Sequence, residues 1–155
     1  MNSVEGDISA LLVGRHISTQ GVIGAKMEKG VVSDLFKALI PVGTVEAVRQ
    51  EYQVFRSAGG DYLVFSPSSR GTSSFHMTVI GAEKVEALAA AVGKHGVTTG
   101  SLMKDGKLEE EFGPGDKVAT RFDMLIGLYV LTAMGRVEME KEGRNLVFRR
   151  KEEGA

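Results

Sequence analysis

No cysteine occurs among the 155 residues, which removes disulfide frameworks, thiolate zinc sites, iron–sulfur clusters and thiol nucleophiles together. Tryptophan is absent too, aromatic residues make up 6% of the chain, and proline appears three times. Neither sign of charge dominates: the formal net charge is -1, so a polyanionic partner can be argued only from where the charge sits. No stretch reaches about 18 uninterrupted apolar residues, so no membrane span is expected. Met1 to Asp7 reads MNSVEGD, without the basic start and apolar run of a secretory signal, and a cytoplasmic location follows as the expectation. Glycine is what the chain has in excess, at 20 residues against an average of about 7%, so tight turns should be frequent. At 43% hydrophobic and 25% charged, the composition is that of a globular protein able to build a core without metal or disulfide staples.

Val31, Leu35, Ala38 and Leu39 follow helical spacing, and Pro41 ends the run, predicting a short helix from Gly30 to Ile40. Val45 to Phe55 fits a helix and a strand equally. Ala58-Gly59-Gly60-Asp61 is a turn signal and Tyr62 to Phe65 an aromatic and β-branched run, which favours a hairpin with a strand upstream. A polar loop, PSSRGTSS, then leads into FHMTVI, read as a third antiparallel strand carrying Phe75, Met77 and Val79 on one face, with His76 on the other.

Glu83 to His95 reads as a helix, acidic early and ending in Lys94 and His95, with Gly96 as its cap. Val97 to Met103 looks like a loop entering a short helix. The acidic stretch Asp105 to Asp116, with turn signals at Asp105-Gly106 and Gly113-Pro114-Gly115, is read as a surface excursion. Lys117 to Met134 is expected to be a long helix ending at Gly135, with one apolar stripe on Val118, Phe122, Leu125 and Tyr129. Because only Gly127 interrupts the apolar series from Met124 to Leu131, burial by the core or by a second subunit is expected, and hence a homodimer. Val137 to Phe148 alternates about a Glu142-Gly143 turn, predicting a terminal hairpin. The fold class is therefore α+β. Residues 1–81 form a dimerisation or sensing region built on an antiparallel sheet with a short helix, and residues 82–155 a helical segment closed by a β-hairpin.

Candidate chemistry is sparse. His16, His76 and His95 are far apart and have no carboxylates at ligand spacing, so no metal and no cofactor are expected. Ser73 and Ser74 adjoin His76 in sequence, but neighbouring strand residues point to opposite faces and no Gly-x-Ser-x-Gly elbow occurs. A nuclease built on Asp61 and the strand at 75–80 would find His76 and Thr78 where an acid and a lysine are needed. No enzyme is expected. Ser68, Ser69, Arg70 and Thr72 offer hydroxyls and one guanidinium to a phosphate or carboxylate, the alternative ligand-binding site.

Leu131-Thr132-Ala133-Met134-Gly135-Arg136-Val137 followed by Glu142-Gly143-Arg144, and Val97-Thr98-Thr99-Gly100-Ser101-Leu102 before them, resemble the helix-to-wing junction and second-helix entrance of the winged-helix DNA-binding family. The resemblance covers less than half the chain. It implies a regulator that binds double-stranded DNA, with Thr98 and Thr99 near phosphate, Lys117 and Arg121 approaching the groove and Lys141 and Arg144 at the wing tip. Charge placement points the same way on its own: residues 117–151 hold eight basic and four acidic side chains. Against it stand the largely apolar long helix, with only Lys117, Arg121, Asp123 and Thr132 as polar readers, and the Glu109-Glu110-Glu111 run beside it. The competing reading is a non-catalytic ligand-binding or homo-oligomeric assembly protein.

Overall fold

The computed structural model describes residues 23–28, 39–48, 50–67, 74–113 and 115–152. The chain divides into two compact units, Met1–Ala82 and Glu83–Ala155. The first holds a five-stranded antiparallel sheet in the order β1-β5-β4-β3-β2, with β1 Ile23–Glu28, β2 Ile40–Glu46, β3 Glu51–Arg56, β4 Tyr62–Pro67 and β5 Ser74–Ile80.

The hairpin expected at Gly59-Gly60 joins β3 to β4. Ser57 donates its N–H to the Asp61 carbonyl at 2.8 Å, and Gly60 sits at φ 95°, a left-handed conformation that glycine adopts without penalty. β2 and β3 form a second hairpin, closed by Ala47 N–H to Gln50 O at 3.0 Å, which resolves the helix-or-strand ambiguity of that stretch. Residues 30–38 of the expected first helix lie outside the described residues; its end is overturned, because Ile40 and Pro41 belong to β2. Proline is tolerated there because β2 is an edge strand, and the register slips between Pro41 and Gly43. Burial is continuous from Tyr62 to Ser66 and from Met77 to Ile80, so the inner strands β4 and β5 are covered on both faces there. His76 is exposed. Phe55 and Phe65 meet edge to face at 5.7 Å.

The second unit runs from α1 Ala82–Ala91, whose first residue closes the first unit, through α2 Thr99–Leu102, α3 Gly106–Phe112, α4 Lys117–Ala133 and β6 Val137–Glu142 to β7 Asn145–Arg150. α1 stops four residues earlier than expected, so Lys94 and His95 lie in the following turn and His95 complements no helix end. The reason is long-range: the Gly93 carbonyl accepts from Arg150 N–H at 3.0 Å instead of from a continuing helix. The acidic excursion is in fact helix α3. Asp105 caps it by accepting from Lys107 and Leu108 N–H, and Leu108 and Phe112, four residues apart, are buried.

α4 ends in a Schellman motif: Gly135 at φ 76° donates to Thr132 O, and Arg136 N–H reaches back to Leu131 O, both at 3.0 Å. The hairpin turn is the pair Gly143-Arg144 with only Gly143 at positive φ, 62°, the glycine-first form that matches strand twist. Val97 and Phe148 exchange N–H to carbonyl bonds at 2.8 Å each way, adding an isolated third bridge beside β7. Phe148 is fully buried and packs on Tyr129 at 6.3 Å.

Candidate nucleic-acid interface

α4 has two distinct halves. Met124 and the run Ile126 to Leu131 are buried by the chain itself, so no second subunit is needed to cover them, and the ground for expecting a homodimer is gone. The first half is open instead. The stripe expected to be apolar core is overturned at its start, since Val118 is 77% and Phe122 48% exposed, alongside exposed Lys117 and Arg121. Asp123 and Thr132 are not surface readers: Asp123 is 3% exposed, and the Thr132 hydroxyl donates to Leu128 O at 2.8 Å.

Three of the six expected contact residues come together. Arg121 Nε donates to Thr99 Oγ1 at 3.1 Å, and a Cβ built on Gly100 would lie 3.8 Å from an Arg121 terminal nitrogen, so the guanidinium lies against the start of α2. Thr98 caps α2 reciprocally: its Oγ1 accepts from Ser101 N–H at 3.1 Å while Ser101 Oγ accepts from Thr98 N–H at 3.0 Å. Lys117 stands one helical turn before Arg121 on the same exposed side of α4. Lys141 on β6 and Arg144 in the hairpin turn are both exposed. The alternative set, Ser68, Ser69, Arg70 and Thr72, lies outside the described residues.

The carboxylates select among the cations. Arg136 is clamped by Glu86 through bonds of 2.6 and 3.2 Å, which holds the Glu86 carboxyl below its ordinary value. Arg149 bridges Glu142, at 2.6 Å, and Glu140, and these bonds hold its guanidinium protonated even more firmly. Among the described residues, Lys117, Arg121, Lys141 and Arg144 take part in no salt bridge. Of the acidic run on α3, Glu109, Glu110 and Glu111 are all exposed, and Glu111 lies within the electrostatic reach of Lys84 on α1.

Sequence reasoning missed one pair altogether. Lys84 Nζ and Asp123 Oδ2 are buried without a hydrogen-bond partner, and Lys84 stands 5.3 Å from the centre of the Phe112 ring. Burial raises the Asp123 carboxyl to about 6, opposed by the nearby Lys84 charge, and burial lowers Lys84. Helical spacing placed Asp123 between two apolar turns, a signal of burial that its charge concealed. Among the described residues no three His, Cys, Asp or Glu side chains converge as a metal site, and no helix is long and apolar enough to cross a membrane. No protein family matches the sequence, and no curated protein or solved structure matches it either.

Proposed function

We propose that the second unit is a winged-helix-like module that binds double-stranded DNA, within a transcriptional regulator whose first unit senses an effector or assembles the protein. The observation that carries this reading is the sorting of the cations. Arg136 and Arg149 are held by glutamates, whereas among the described residues Lys117 and Arg121 on the open half of α4 and Lys141 and Arg144 on the hairpin are in no salt bridge. The order of elements supports it: a helix, the single bridging residue Val97, short helices, a long helix and a two-stranded hairpin whose second strand takes the bridge.

In this reading Arg121, steadied by the Thr99 hydroxyl, turns its terminal nitrogens to a phosphate or to a base edge. Thr98 acts indirectly, by fixing α2. Val118 and Phe122 are the apolar surface of α4 that meets the groove, and Lys141 and Arg144 reach the flanking backbone as the wing. The test is fluorescence anisotropy on a short random-sequence duplex across a salt series. Binding should weaken linearly in log affinity against log salt, and Lys117→Ala with Arg121→Ala should flatten that slope by roughly 0.9 per lost phosphate contact. Absence of binding at low salt overturns the reading.

A further inference from the structure

The far end of α4 carries a second cationic site, of a different kind. A cleft of about 1070 Å³ opens where the ends of α1 and α4 meet the base of the hairpin, with Lys94, Arg136, Arg150 and Lys151 on its lining and Met134 and Val137 as an apolar wall. Backbone bonds bring these cations to one mouth. Arg150 N–H to Gly93 O at 3.0 Å draws the turn bearing Lys94 against β7, and Lys151 N–H to Arg136 O at 3.1 Å extends the hairpin one step past its last strand residues. The Arg150 guanidinium donates to Ala89 O at 3.1 Å, a neutral acceptor that leaves its charge uncompensated. Two carboxylates, Glu86 on Arg136 and Glu152 on the lining, offset part of the charge. Among the described residues, Lys94, Arg150 and Lys151 are in no salt bridge.

Exposed helix carbonyls would work against an anion here, because a helix C-terminus bears about half a negative charge. That opposition is reduced at both ends. The Schellman bonds consume Leu131 and Thr132 carbonyls of α4, and Arg150 consumes Ala89 O of α1. What is left is a concave, net-positive site with one apolar side. Concave walls concentrate such a field, and guanidinium forks favour phosphate geometry. The volume lies slightly above the range of about 300 to 1000 Å³ usual for small-molecule sites, far more than a lone phosphate fills.

We infer that this cleft binds the phosphates of a nucleotide-sized organic phosphate, its body lying against Met134 and Val137. The site shares no residue with the duplex-binding face proposed above, and Arg121 on that face lies about 20 Å back along α4 from Met134 at 1.5 Å rise per residue. It stands or falls independently of that reading.

Isothermal titration of the full chain with ATP, pyrophosphate and sulfate at fixed ionic strength tests it, with duplex DNA as competitor. ATP should bind saturably and more tightly than pyrophosphate, and sulfate should not displace it. Lys94→Ala with Lys151→Ala, both at exposed positions away from the core, should weaken ATP at least about tenfold, the loss of about 1.4 kcal/mol of charged contact. Lys117→Ala with Arg121→Ala should leave ATP binding unchanged. Unsaturable binding, displacement by sulfate, or an unaffected Lys94/Lys151 variant overturns the inference. If duplex DNA displaces ATP and the Lys94/Lys151 variant loses both, the phosphate comes from a nucleic-acid backbone, and the free nucleotide is overturned as the source.

Discussion

The two halves of α4 differ in composition as well as in fate: Lys117 to Asp123 carries three apolar side chains, Val118, Ala119 and Phe122, whereas from Met124 to Leu131 every residue but Gly127 is apolar. From Ile126 to Leu131 every residue is buried, whereas Lys117, Val118, Arg121 and Phe122 face solvent. Hydrophobicity alone does not decide burial along this helix, because Val118 is 77% and Phe122 48% exposed while Asp123 is 3% exposed; what packs beside each turn decides as well. Tyr129 is closed over by Phe148 of β7, while Arg121, at the open end, lies against the hydroxyl and backbone at the start of the four-residue α2. Val118 and Phe122, one helical turn apart, are exposed together on that open side, the face proposed above to meet duplex DNA.

The sharpest way to break the comparison is to truncate one side chain at each end and compare the costs. Leu128→Ala should cost about 2 to 5 kcal/mol by chemical denaturation, as expected for a fully buried leucine whose cavity cannot collapse. The next effect lies where the halves join. Asp123 is protonated in both states below about pH 4. Between there and about pH 6 the folded chain holds a proton that the unfolded chain has released, so stability should fall as pH rises through that window. Asp123→Asn should remove most of that slope, as read by denaturant midpoints across the pH series, and an unchanged slope would place the titration elsewhere. A smaller loss, about 1 kcal/mol, is expected for Thr98→Ala, which deletes the cap supporting the open end. Smallest of all, Val118→Ser should change stability by no more than about 0.5 kcal/mol while weakening duplex binding. A large loss of stability there would mean that the open half is structural.

Some elements are legible in the sequence because local chemistry specifies them. The Gly59-Gly60 turn, the strand at 75–80, the long helix and the terminal hairpin are all determined by neighbours within a few residues. α3 is harder to read because three consecutive glutamates hide two buried apolar side chains; its signals are Asp105 as a cap and the Leu108–Phe112 spacing. The early end of α1 is not encoded locally, since it depends on a bond from Gly93 to a residue 57 positions later in sequence. The same holds for the site. Residue types at Lys117, Arg121, Lys141 and Arg144 suggest it, but the Thr99–Arg121 contact spans 22 residues and the Glu86–Arg136 pair 50. Which arginines are sequestered is a tertiary fact.

Pro41 and the register slip after it bear on how copies of this protein coexist at high concentration. A sheet whose outermost strand presents a regular row of amides invites a neighbouring molecule to continue the ladder. At the start of β2 one imino acid withholds a donor and one extra residue turns the backbone out of plane. Fibrous polymerisation through that border is thereby discouraged at one end of the strand, and the exposed Glu46 sets a charge at the other.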